Sequence, residues 1–167
     1  MKSVFEEYMS NQNIWKTYGN LPLFVREKEL IDASIIEPAK TNAGLRVLEA
    51  GTGSGRIAFR IKEQADVSID AFDLLPSFID QAERFKQQNR LDVRFFVKDA
   101  ADLSGLANDG YDVLVYFQQL ICHIPKESLR AAVAECARVC RPGGLLLLSY
   151  AAYDNRTLDR FLDLFLA

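Results

Sequence analysis

Histidine and tryptophan occur once each in this chain of 167 residues, methionine twice and cysteine three times. A metal centre would need deprotonated thiolates or imidazoles in close convergence. Cys136 and Cys140 instead fall four apart in a stretch of small residues with helical character, where compact buried side chains are expected. No metal site is expected. An odd, small number of cysteines also argues against a disulfide framework and fits a reduced compartment, so a cytoplasmic location is expected. Long apolar runs are lacking too. None approaches ~18 residues, so no membrane-spanning helix is expected. The opening Met1-Lys2-Ser3-Val4-Phe5-Glu6-Glu7 has no apolar core of a signal peptide. Nor is there an excess of one charge: 20 Lys+Arg stand against 23 Asp+Glu, a net charge of −3, which argues against a strongly basic nucleic-acid binder.

What remains is an ordinary globular composition. Apolar residues make up 49% and charged residues 26%, enough to build a core in one domain. Residues 1–44 are helical in character and carry Tyr8, Trp15, Tyr18 and Phe24. From residue 45 short apolar runs alternate with amphipathic stretches. The runs are Arg46-Val47-Leu48, Val67 to Phe72, Val93 to Val97, Val113 to Phe117 and Leu145 to Leu148, short and rich in β-branched, aromatic or leucine residues as buried strands are. Helices are expected over 55–64, over 76–89 with Pro76 in the first turn, over 125–140 ending before Arg141-Pro142-Gly143-Gly144, and over 154–166 after Asp154 as N-cap. Residues 99–110, with Gly105, Asn108 and Gly110, read as loop or short helix. Strands alternating with helices imply βαβ units and a parallel sheet.

In an open parallel sheet, ligands bind beyond the carboxyl ends of the strands. The first strand runs into Glu49-Ala50-Gly51-Thr52-Gly53-Ser54-Gly55-Arg56. Three alternate glycines before a helix make a turn that backbone can bring close to a ligand, next to free helix N–H groups. The dinucleotide fingerprint G-x-G-x-x-G fits poorly: counted from Gly51 the sixth position is Arg56, and counted from Gly53 the extra Gly51 is unexplained. The second strand ends in Asp73, able to accept from a ribose diol or to cap the next helix, and Leu74 can pack on a base. The third ends at Asp99-Ala100. Three acids at three strand ends describe a ligand with several donors.

Together these stretches resemble the class I S-adenosylmethionine-dependent methyltransferases. Val47-Leu48-Glu49-Ala50-Gly51-Thr52-Gly53-Ser54-Gly55 is similar to the family's first motif, Phe72-Asp73-Leu74 to its second and Asp99-Ala100 to its third. Tyr111-Asp112-Val113-Leu114-Val115 resembles the fourth strand, and Arg138-Val139-Cys140-Arg141-Pro142-Gly143-Gly144 the turn written R-x-L-K-P-G-G. The resemblance covers about residues 45 to 150. It implies a Rossmann-like three-layer αβα sandwich with a mostly parallel sheet, a helical cap or lid over 1–44 and a cosubstrate domain over 45–167.

The resemblance also implies roles. The loop of Gly51, Thr52, Gly53 and Gly55 holds the methionine portion of S-adenosylmethionine, with Glu49 near its ammonium. Asp73 and Leu74 take the ribose and adenine face, and Asp99 and Ala100 the adenine edge. Phe117 and Gln118 lie beside the sulfonium, with Gln119 toward the substrate. His123, in Ile121-Cys122-His123-Ile124-Pro125, is a candidate base or merely packs the following helix. Tyr8, Trp15 and Tyr18 form a lid or pack a surface helix. The expected acceptor is a small molecule; S-adenosylhomocysteine is the product.

The family sheet has seven strands, whereas the chain reaches only the fifth. Truncation, completion by a partner chain or second copy, and a reduced variant are the competing explanations. The apolar end Phe161-Leu162-Asp163-Leu164-Phe165-Leu166-Ala167 and the fifth-strand edge then call for a cover. The alternative to an enzyme is a cosubstrate-binding module that works with another chain.

Overall fold

The computed structural model describes residues 23–150. The expected lid residues Tyr8, Trp15 and Tyr18 and the expected helix over 154–166 lie outside the described residues. The elements in order are α1 (Val25–Ile31), a π-helical turn (Asp32–Ile36), α2 (Glu37–Ala39), β1 (Arg46–Ala50), α3 (Arg56–Gln64), β2 (Ser68–Asp73), α4 (Pro76–Asn89), β3 (Arg94–Val97), β4 (Tyr111–Tyr116), α5 (Leu120–His123), α6 (Lys126–Val139) and β5 (Cys140–Leu148). The five strands pair in the order β3-β2-β1-β4-β5, all parallel.

Strand alternation divides the core in two. Val47, Ile69, Ala71, Val113 and Val115 face one layer, with Ile57 and Ile61 of α3 and Ile79 and Ala82 of α4. Leu48, Phe72, Leu114 and Tyr116 face the other, with Ala132, Cys136 and Val139 of α6. The result is the expected Rossmann-like αβα sandwich. The described part of the N-terminal segment joins the first layer, because Leu23, Ile31, Ile35 and Ile36 are buried in the same cluster as β1 and α3.

Two local features refine the sequence reading. Of the two alternatives for residues 99–110, the loop is the one found: they form turns, closed by an antiparallel bridge between Asp99 and Asp102. Side chains of α6 satisfy this segment. Glu135 accepts from Leu103 N–H at 2.7 Å, and Arg138 donates to the carbonyls of Leu106 and Leu103 at 2.8 and 3.0 Å. With these backbone groups paired by side chains, the segment needs no helix to satisfy them, and it buries only Ala100, Leu103 and Gly110. The second feature is the start of β5. Cys140 pairs with Tyr111, then Leu145 pairs with Val113, so Arg141-Pro142-Gly143-Gly144 bulges between two pairings. Cys140 is therefore the first strand residue, not the last of the helix.

Candidate active site

The carboxyl ends of the strands surround a cavity of about 400 Å³, within the size range of small-molecule sites. Ten of the expected site residues line it: Gly51, Thr52 and Gly53 after β1, Asp73 and Leu74 at the end of β2, Asp99 and Ala100 after β3, Phe117 and Gln118 after β4, and the candidate base His123 at the end of α5. They come from five separate stretches of chain. The parallel sheet brings them together because every strand points its carboxyl end the same way.

The glycine loop turns through three left-handed residues, Gly51, Gly53 and Gly55, at φ of 65°, 56° and 87°. A Cβ on Gly51 would stand 2.8 Å from Leu120 Cδ1, which would have to shift, and the left-handed φ of 65° disfavours any side chain there. The loop is tied to β2: Thr52 N–H donates to the Phe72 carbonyl at 3.0 Å, and Gly53 N–H donates to Asp73 Oδ2 at 2.9 Å. Asp73 Oδ1 accepts from Leu75 N–H at 3.0 Å. Asp73 is 8% exposed, and burial raises its pKa against the pull of those N–H donors. Leu74 is 44% exposed and offers an apolar side chain to the cavity.

Glu49, Gly55 and Gln119 are not part of the wall. Glu49 is 1% exposed and sits behind the loop, where its Oε2 accepts from the Thr52 hydroxyl at 2.8 Å and from Ala58 N–H at 3.0 Å. It clamps the loop to the start of α3. Burial pushes its pKa from 4.5 up to about 8, even though both hydrogen bonds pull it down. The folded chain therefore holds a proton that the unfolded chain releases above pH 4.5. The stabilisation is full below that value and declines as the pH rises to about 8. Unfolding in urea is expected to need less denaturant at alkaline than at mildly acidic pH, with Glu49→Gln flattening the slope. The same slope in that variant would assign it to other groups.

Arg56, at the start of α3, also lines the cavity, as do Phe78 and Lys98. The Nη1 of Arg56 is buried and finds no hydrogen-bond partner among the described residues. Burial lowers its pKa, while the charges of Glu27 and Glu49 oppose that. Sequence reasoning missed it because the residue after a glycine loop ordinarily begins a solvated helix. Glu27 was missed as well: it lies only 3% exposed beside the cavity and accepts from Gln118 N–H at 3.0 Å. Cys136 is an inert thiol, its pKa pushed up to about 11 by burial.

The model of the family described as "Methyltransferase domain" matches residues 47–144, from β1 to the bulge of β5. The chain belongs to the class I S-adenosylmethionine-dependent methyltransferase family. It is 29% identical over 119 residues to the ubiquinone biosynthesis O-methyltransferase of Xanthomonas oryzae pv. oryzae (strain PXO99A), covering 71% of this chain and 47% of that protein. The chain thus spans about half the length of the curated relatives it matches. In three dimensions this methyltransferase domain is similar to a TehB-like SAM-dependent methyltransferase from Corynebacterium glutamicum, with TM-score 0.69 and 21% identity over 93% of this chain and 82% of that one. It is equally similar in fold to the [4+2]-cyclase SpnF, with TM-score 0.69 and 20% identity over 84% of this chain and 54% of that one. Among the described residues no helix is long and apolar enough to cross a membrane.

Proposed function

We propose that the cavity binds S-adenosylmethionine and that the chain moves its methyl group to an oxygen nucleophile on a small molecule. The observation that carries this reading is the meeting of the glycine loop, Asp73, Asp99-Ala100 and Phe117-Gln118 around one cavity. Their chemistry suits the cosubstrate. The Asp73 carboxylate has spent two of about four lone pairs on backbone donors and keeps capacity for ribose hydroxyls. The Nη1 of Arg56, without a hydrogen-bond partner among the described residues, offers a donor to the carboxylate of the methionine portion. Leu74 and Phe78 flank an adenine, with Asp99 and Ala100 at its edge. Glu49 serves as the clamp of the loop and Gln119 as part of the turn; Tyr8, Trp15 and Tyr18 are proposed as the lid.

S-adenosylmethionine supplies an activated methyl on a sulfonium, so the protein's task is alignment and exclusion of water. Phe117 and Gln118 form the wall where the acceptor oxygen approaches. His123, at the mouth of the cavity, removes a proton from an acceptor hydroxyl. The O-methyltransferase name of the bacterial relatives supports an oxygen acceptor, and the net charge of −3 disfavours a phosphate-rich polymer.

The test is calorimetric titration with S-adenosylhomocysteine, with NAD as control, followed by methyl transfer from S-adenosylmethionine to a panel of small phenols and catechols. Saturable binding of S-adenosylhomocysteine alone is expected. His123→Ala is expected to keep that affinity within about twofold and to lower turnover at least ~10²-fold, the lower range for a general base. Absence of binding by folded protein would overturn the cosubstrate reading. Binding without transfer to any acceptor would favour the module that works with another chain.

A further inference from the structure

We infer that Glu27 is a positioning residue of the cosubstrate site, holding the strained turn after β4 in its binding shape. This rests on the reading of the cavity as the S-adenosylmethionine site. The turn is unusual. Gln118 and Gln119 are consecutive left-handed residues, at φ of 57° and 62°, and neither is glycine. L side chains seldom adopt that conformation, and two in a row persist only where surrounding contacts over-determine them.

Those contacts converge on one carboxylate. Gln118 N–H donates to Glu27 Oε1 at 3.0 Å. Gln119 N–H donates to Ser149 Oγ at 3.2 Å, and the Ser149 hydroxyl donates in turn to Glu27 Oε1 at 2.9 Å. Ser149 is itself fixed just past β5, its N–H donating to the Tyr116 carbonyl at 3.1 Å. The other oxygen of Glu27 is occupied within its own helix, where Oε2 accepts from Phe24 N–H at 3.2 Å. Both N–H groups of the left-handed pair are thus held, directly or through one serine, by a buried acid from an element far away in the chain.

The turn it holds touches the cavity on two sides. Phe117 and Gln118 are wall residues, and the side chain of Leu120, which follows, lies over Gly51, its Cδ1 2.8 Å from where a Cβ would stand. Displacing the turn therefore moves both the wall after β4 and the cover over the glycine loop. Glu27 also lends its charge to Arg56, a cation of the wall. A second consequence of the same geometry is that α1 belongs to the site's support: an acid on α1 reports the docking of that helix against the turn after β4.

The experiment measures S-adenosylhomocysteine affinity by calorimetry and stability by urea unfolding, in the wild type and in Glu27→Ala, Glu27→Gln, Ser149→Ala and Val93→Ala. Val93 is a core residue of the first layer and lines no part of the cavity. Glu27→Ala is expected to weaken binding about tenfold and Ser149→Ala about threefold, the usual range for unpairing buried N–H groups. Glu27→Gln keeps an acceptor oxygen and is expected to bind more tightly than Glu27→Ala. Val93→Ala is expected to lower the urea midpoint with affinity within about twofold of wild type. A folded Glu27→Ala protein with affinity within twofold of wild type overturns the inference, as does an equal loss of affinity in Val93→Ala. Should Glu27→Ala fail to fold, Glu27→Gln and Ser149→Ala decide, and unchanged affinity in both overturns it. A wild type that binds no S-adenosylhomocysteine overturns the reading of the cavity itself, and this inference with it.

Discussion

Asp73→Ala is expected to weaken S-adenosylhomocysteine binding by about ten- to a hundredfold, or ~1.4–2.8 kcal/mol. Two losses combine. The proposed ribose hydroxyls lose their acceptor, and the backbone N–H groups of Gly53 and Leu75 lose theirs at the mouth of the cavity. Asp73 joins the glycine loop to the turn after β2, so its removal loosens the two walls that would flank the cosubstrate. Asp73→Asn separates the contributions. Its single amide oxygen can keep one backbone bond, but it presents donors where the ribose needs an acceptor. Calorimetry is expected to rank the wild type first, Asp73→Asn second and Asp73→Ala last. Equal affinity in all three would remove the ribose role.

Gly55→Ala is expected to lower stability by about 3 kcal/mol, combining left-handed strain with overpacking. The residue sits at φ 87°, and a Cβ there would stand 2.6 Å from Phe59 Cε2 and 2.9 Å from Phe95 Cζ. Neither ring can yield easily. Phe59 and Phe95 are buried, packed edge-to-face with centroids 5.4 Å apart, and Phe85 lies against Phe59 at 4.6 Å. Gly53→Ala provides the comparison. Its φ of 56° is also left-handed, but nothing lies within 4 Å of the added Cβ. It is expected to lose only the strain, about 1 kcal/mol. Urea unfolding of the two variants checks this, and equal losses would discard the ring collision. Gly55 is not among the residues that line the cavity, so the expected loss is one of packing and backbone strain.

Much of this molecule was legible in its sequence, for local reasons. Alternating apolar runs and amphipathic stretches imply a parallel sheet between helices, since strand and helix periods are properties of adjacent residues. The triple glycine after β1 and the acids at the ends of β2 and β3 point to a ligand site, because the carboxyl ends of parallel strands share one edge. Charged residues were another matter. Glu27 stands in Val25-Arg26-Glu27-Lys28-Glu29, where any acid looks like a solvated face. Only the docking of α1 against the turn after β4 and the end of β5 buries it. Glu49 has the sequence position of a ligand-binding acid, yet Thr52 and Ala58 claim it behind the loop. Arg56 reaches the cavity because α3 packs on the first layer and turns its first residue inward. Residues 99–110 stay non-helical because Glu135 and Arg138 of α6 supply their hydrogen bonds. Local pattern determines which elements form. Which charges end up buried, and what they hold, depends on the elements that cover them, and that is decided only when distant segments meet.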